Sequence, residues 1–101
     1  MNVDPYTIVR LKSHPDHTFI LLSYPGVETN GTVVVAPLLG EDQIAIVETL
    51  HPVVPTPMGH RVIAVERLGA VVPEIIIPTE DTLIEYDYLI HRALSRLFFG
   101  N

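Results

Sequence analysis

Two histidines separated by two residues are the first side chains whose spacing suits a chemical role. In the run His14-Pro15-Asp16-His17, two imidazoles and a carboxylate could surround a metal ion. Further ligands would have to come from His60, His51 or glutamates. We expect His51 instead to be a half-buried packing residue. Two histidines at this spacing are a weak motif, and Pro15 suits the second position of a turn. We therefore interpret the run as a polar turn, and we expect neither a metal nor a cofactor.

The residue types that carry out catalysis occur in no recognisable constellation. The sequence has no cysteine, no Gly-x-Ser-x-Gly motif and no phosphate-binding loop, and Ser13, Ser23 and Ser95 lie outside any nucleophile motif. Glu66 and Arg67 resemble an acid/base pair, but neighbours on a strand point to opposite faces, so we expect two surface charges near a turn. We predict a protein that is not an enzyme and acts by binding.

The charge balance argues against direct contact with nucleic acid. Twelve Asp and Glu residues outnumber six Lys and Arg residues, which gives a formal net charge of −6. Binding to nucleic acid needs cations that displace counterions from phosphates, and the six cations here are scattered. A role connected with DNA would therefore run through a protein partner.

Composition also indicates the compartment and the number of domains. The absence of cysteine, and of a cationic stretch followed by an apolar one in residues 1–10, favours a cytoplasmic protein without a signal peptide. The apolar runs at 32–39 and 68–77 are much shorter than the ~20 residues that span a bilayer, and both contain proline. We expect a soluble, single-domain protein over residues 1–101 that does not contact membranes.

Proline usage divides the sequence into a strand-rich part and a helical part. All nine prolines lie between Pro5 and Pro78, among many Val, Ile and Thr residues. Asn30-Gly31 predicts a tight turn, and residues 41–50 fit a short helix or a strand equally. Pro73 indicates an edge or a bulge in the last strand. Strands are predicted at 6–11, 18–24, 32–37, 60–66 and 71–77, with 52–57 extended.

The last segment has the spacing of an amphipathic helix. Thr82 and Glu85 are predicted to form a capping box at its start, and Gly100 a left-handed residue at its end. The sequence therefore predicts a mainly antiparallel β domain with one C-terminal helix. The apolar stripe of that helix consists of Leu83, Tyr86, Ile90, Leu94 and Leu97.

Two aromatic residues close the chain, in the run Leu97-Phe98-Phe99-Gly100-Asn101. Adjacent helical residues lie ~100° apart, so both rings cannot sit at the centre of one buried stripe. We expect Phe98 to face the core beside Leu94 and Leu97. Phe99 then either packs on the sheet or points towards a dimer mate or a partner, as interface aromatics do.

Four stretches of the sequence resemble the CcdB toxin family. Residues 93–101 are similar to the end of its helix, which closes in Leu/Met-Phe-Trp-Gly-Ile. Residues 30–38, 48–54 and 70–76 resemble, in the same order and at similar spacing, its turn and central strand, its Glu-Leu-Tyr-Pro-Val-Val run and its Ser-Val-Pro-x-x-x-Ile strand. The resemblance covers essentially the whole chain.

This resemblance implies a fold and a function. The fold would be an SH3-like antiparallel β-barrel, as in CcdB and MazF, with a small side sheet and one C-terminal α-helix, paired as a homodimer. The function would be that of the toxin in a type II toxin–antitoxin system, which serves plasmid maintenance. Such a toxin binds the A subunit of DNA gyrase, poisons the gyrase–DNA cleavage complex and is neutralised by a cognate CcdA-like antitoxin.

The resemblance also implies the residues that contact the partner. Phe99 stands in place of the family tryptophan, which stacks on a gyrase arginine, and a phenyl ring also accepts a cation on its face. Val27 is the nearest match to an apolar pair in a gyrase-facing loop. The implied partner-binding residues are Phe98 and Gly100, which match the motif, together with Phe99 in place of tryptophan, Asn101 in place of isoleucine and Ser95 in place of asparagine.

Two other functions remain open at this point. The changes at Phe99 and Asn101 suit a diverged homologue that binds its antitoxin without poisoning gyrase. The fold analogy with MazF suits an endoribonuclease, in which Arg10, Arg61 or Arg67 would stabilise the charge on a pentavalent phosphate.

Overall fold

Seven strands of one curled antiparallel sheet and one C-terminal helix form the chain, as a computed structural model shows for residues 3–26 and 31–101. The mainly β fold with a terminal helix is therefore confirmed. The strand order is β4-β5-β3-β2-β1-β7, and β6 pairs with β3. The elements are β1 (Thr7–Leu11), β2 (His14–Leu21), β3 (Val33–Leu39), β4 (Val53–Thr56), β5 (Gly59–Ile63), β6 (Gly69–Val71), β7 (Ile76–Thr82) and α1 (Asp87–Phe99).

Strand β3 is the centre of the sheet, as its run of apolar residues predicts. It pairs with β2 along one side and with β5 and β6 along the other. Val35 and Ala36, which point to opposite faces, are both buried. A strand covered on both faces carries apolar residues at successive positions, which is the pattern found here.

The two faces of the sheet bury separate apolar clusters. The helix-side core lies between the sheet and α1, and it contains Ile8, Ile20, Ala36, Leu38, Val54, Ile63, Leu83, Ile90 and Ala93 among others. The second cluster covers the opposite face and contains Val9, Leu11, Leu21, Val33, Val35 and Ile76. The predicted stripe is confirmed for its members in α1, because Ile90 is buried and Leu94 and Leu97 pack against the helix-side core; Leu83 and Tyr86 also contact this core but precede α1.

The β4–β5 hairpin is part of the same sheet, and the described residues form no separate side sheet. It joins the rest of the sheet at the end of β3, where Leu38 pairs with Ile63 and Leu39 with Val62. Residues 41–50, for which helix and strand remained open, form turns and irregular structure instead.

The first hairpin turns earlier than predicted. Lys12 and Ser13 form the turn, and β2 already begins at His14, which pairs with Leu11. The turn expected at residues 14–17 is therefore wrong. Only residues 18–21 of β2 pair with β3, so Pro15 lies where its missing N–H interrupts no bond to β3.

The segment predicted as one strand at 71–77 is divided in two. A 3-10 turn at Pro73–Ile75 separates β6 from β7, because the proline ring fixes φ and removes a donor at that point. Strand β7 then runs on to Thr82 and pairs with β1 at the end of the strand order. Likewise, β5 ends at Ile63, and a 3-10 turn at Val65–Arg67 replaces the end of the predicted 60–66 strand.

The helix begins later than its predicted cap. A 3-10 turn at Ile84–Tyr86 precedes α1, and Thr82 Oγ1 accepts a hydrogen bond from the Ile84 N–H at 3.3 Å. The N-cap of α1 is Tyr86, which makes no side-chain capping bond, so the capping box with Glu85 is wrong. Among the described residues, no helix has both the length and the apolar character needed to cross a bilayer.

Candidate partner-binding tip of the C-terminal helix

The last turn of α1 follows helical turns that pack against the sheet. Ile90 is fully buried and Ala93 is nearly so, and the half-buried Leu94 and Leu97 extend the contact towards the C-terminus. Because four successive stripe positions pack on the sheet, the backbone of the tip has a fixed position relative to the core. We call residues 95–101 the tip.

Both aromatic rings of the tip lie in solvent. Phe98 is 61% exposed and Phe99 is 76% exposed. The expectation that Phe98 faces the core is wrong. At ~100° per residue, Leu94 and Leu97 lie within about 40° of Ile90 around the helix, whereas Phe98 lies about 80° away and Phe99 about 180° away. The core-facing stripe is thus complete without either phenylalanine.

The remaining tip residues include the predicted helix end. Gly100 has φ +75° and donates its N–H to the Arg96 carbonyl at 3.0 Å, so the left-handed C-cap is confirmed. A Cβ at Gly100 would meet no atom within 4 Å, which means that glycine is favoured there by backbone conformation rather than by crowding. Ser95 is half-buried and Asn101 is exposed.

An apolar groove adjoins the tip on the Phe98 side. Its volume is about 280 Å³, and it lies between α1, the end of β2 and β3. Exposed aromatic rings next to an apolar groove are typical of surfaces that bind other proteins. The groove is lined by Leu22, Ser23, Val34, Leu68, Leu94 and Phe98. The expected contact at Val27 and the predicted turn residue Asn30 lie outside the described residues.

A buried tyrosine joins the other end of α1 to the first strand. The Tyr6 hydroxyl donates a hydrogen bond to the Asp87 carboxylate, and Asp87 pairs with His91 Nε2 at 3.1 Å, one turn along the helix. Burial, followed by this hydrogen bond and the charge of Asp87, raises the pKa of Tyr6 well above its ordinary value. The i,i+4 spacing of Asp87 and His91 was the available sequence signal for part of this cluster.

A second buried contact involves two residues that the sequence left unconnected. His51 is only 3% exposed; its Nδ1 accepts the Val47 N–H at 2.9 Å, and its Nε2 lies 2.6 Å from Glu66 Oε2. Nε2 therefore carries the proton that it donates to the carboxylate. Since both ring nitrogens are engaged, this pair has no free base, and it acts to fasten residues 47–51 to the Val65–Arg67 turn. His51 is thus more buried than expected.

The remaining sequence candidates lie apart from the tip. The rings of His14 and His17 have centroids 6.4 Å apart, and within residues 3–26 and 31–101 no three His, Cys, Asp or Glu side chains converge as metal ligands would. Arg10 and Arg61 line one recess, whereas Arg67 lines a different, mostly apolar one beside His14.

Two comparisons of the sequence with known proteins identify no relative. The sequence matches no protein-family model, and a search of curated proteins finds no match to it.

Proposed function

We propose that the chain is a CcdB-type toxin of a type II toxin–antitoxin system. In this proposal it acts in the cytoplasm as a homodimer, binds the A subunit of DNA gyrase through its tip, poisons the cleavage complex and is neutralised by a CcdA-like antitoxin. The sequence resemblance supplies the identity of these partners. The observation that carries the proposal is the exposure of Phe98 and Phe99 at the end of an anchored helix.

The energetics of the tip favour docking on a protein. Full burial of a phenylalanine ring stabilises a complex by about 1.5–3 kcal/mol, and both rings are largely available for burial. The helix fixes the backbone beneath them, so docking orders few additional residues. Phe99, on the side of α1 opposite the core, can present its face to an arginine of the partner.

The apolar groove supports the homodimer. In a two-fold dimer the same surface of each copy meets its equivalent, and a self-facing contact around Phe98 would bring the two tips together. Phe99 lies about 100° from Phe98 around the helix and would remain outside such a contact. Two adjacent Phe99 rings would suit a two-fold symmetric partner such as the paired A subunits of gyrase.

Binding of the purified protein to the A subunit of gyrase tests the proposal. We expect Phe99→Ala to weaken binding at least tenfold and to abolish accumulation of cleaved gyrase–DNA complex, because the ring is the anchor. Tyr88→Ala is the matched control, since Tyr88 is 73% exposed on the same helix but far from the tip.

The outcomes separate the possible functions. Equal weakening by both substitutions, or no gyrase binding by the wild type, would contradict the gyrase part of the proposal. Growth arrest that Phe99→Ala relieves would support it. Tight binding of a CcdA-like antitoxin without gyrase binding would instead identify the non-poisoning homologue, which the polar, exposed Asn101 favours.

A further inference from the structure

A recess at one end of the helix-side face brings together cations that are distant in the sequence. Alternate residues along a strand share a face. Arg10 therefore lies on the same face as Ile8, and Arg61 on the same face as Ile63. Ile8 and Ile63 belong to the helix-side core. Strands β1 and β5 are separated by β2 and β3 in the sheet. The curl of the sheet nevertheless places both arginines, with His17, around one recess of about 260 Å³.

The charged groups of this recess are free to meet a ligand. Among the described residues, neither arginine forms an ion pair with a carboxylate. Arg61 donates one hydrogen bond, from Nη1 to the His60 carbonyl at 3.0 Å, which leaves its other N–H groups available. Of the described residues that line the recess, Asp16 alone is acidic. The recess is thus cationic in a chain whose net charge is −6.

We propose that this recess binds the phosphate group of a small molecule, or phosphate itself. A guanidinium presents a planar fork of donors that matches phosphate oxygens, and a tetrahedral phosphate can accept from two forks and an imidazole at once. A carboxylate has two oxygens in one plane, which a single arginine already satisfies. The volume suits one small ligand, and the acidic surface elsewhere disfavours a long polyanion.

Substitutions that remove either a positive or a negative charge from the recess provide the test. Inorganic phosphate is titrated into labelled protein at constant ionic strength, and amide chemical shifts are followed by NMR. We expect Arg10→Gln and Arg61→Gln each to weaken phosphate binding at least fivefold, and Asp16→Asn to strengthen it at least twofold, because one repulsive carboxylate is removed. Arg92→Gln is the matched control, since it removes the same charge from the exposed surface of α1, where Arg92 lies 5.9 Å from the Tyr88 ring centre.

Parallel titrations with ribose 5-phosphate and a short RNA identify the source of the phosphate group. Tighter binding of ribose 5-phosphate than of phosphate, lost in both recess variants, would assign the site to a phosphate monoester. No phosphate binding, equal weakening by Arg92→Gln, or RNA binding without binding of either small ligand would overturn the proposal. Because none of these measurements involves gyrase, the result is independent of the proposed toxin function.

Discussion

At the scale of single residues, the buried Tyr6 side chain joins the start of β1 to the base of α1. Tyr6 adopts φ +56°, which is uncommon for a residue other than glycine, and its ring stands edge-on to His91 with centroids 6.5 Å apart. Its hydroxyl reaches Asp87 in the first turn of the helix. Tyr6, the residue before β1, is therefore connected to the first turn of α1.

This contact makes the stability of the protein sensitive to alkaline pH. Below the ordinary pKa of 10.0, tyrosine is protonated in both states, so the contribution of Tyr6 is fully present. Above pH 10 the unfolded chain ionises, whereas the raised pKa keeps folded Tyr6 protonated, and the free energy of unfolding falls. We expect Tyr6→Phe to cost about 1–2 kcal/mol at neutral pH and to reduce this alkaline loss, as measured by urea denaturation at pH 8 and pH 11.

Tyr88→Phe provides the control for the alkaline measurement. It makes the same chemical change on an exposed position of α1, so its pH dependence should match that of the wild type. An unchanged alkaline loss in Tyr6→Phe would contradict the assignment.

At the scale of elements, one histidine joins the irregular segment after β3 to the Val65–Arg67 turn. Residues 41–50 contain no strand or helix, and the His51–Glu66 pair connects them to the Val65–Arg67 turn. We expect His51→Ala to lower the free energy of unfolding by about 1–3 kcal/mol, because it leaves the Val47 N–H and the Glu66 carboxylate without their partner. Urea denaturation would measure this loss.

His60→Ala serves as the comparison for this substitution. His60 is exposed in β5, so its removal should change stability by no more than about 0.5 kcal/mol. Equal costs for the two substitutions would show that the buried pair does not hold the segment.

Local patterns predicted the elements better than their ends. The strand at 6–11, the central strand, the helical stripe and the Gly100 cap follow from alternation, spacing and backbone preference, which act over a few residues. The turn at 14–17 was misplaced because Pro15 was assigned to a turn, whereas pairing of Leu11 with His14 set the register. A proline signal is local, but strand register depends on a partner strand.

For the candidate site, too, local spacing predicted only part of the arrangement. Exposure of Phe99 was one of two open interpretations, and exposure of Phe98 was missed because the width of the buried stripe depends on how α1 meets the sheet. The His51–Glu66 and Arg10–Arg61 groupings join residues far apart in sequence. Only the curl of the sheet and the path of the chain bring them together, so no spacing rule could reveal them.

At the scale of the whole molecule, association of two copies should depend on the groove. We expect Phe98→Glu to convert the proposed dimer to a monomer, because it places a charge in an apolar contact while the exposed position leaves the fold intact. Sedimentation velocity over a range of concentrations would measure this. Tyr88→Glu should remain dimeric, and a monomeric wild type or two equally affected variants would contradict the proposed interface.

The two outermost strands of the sheet each contain a proline. Pro55 lies in β4 and Pro78 in β7, at opposite ends of the strand order. Each lacks the backbone N–H that an incoming strand from another molecule would need, and its ring obstructs close approach. These two edges are therefore poor templates for a continuous intermolecular ladder. In a protein so rich in valine and isoleucine, prolines at these edges disfavour fibrillar aggregation.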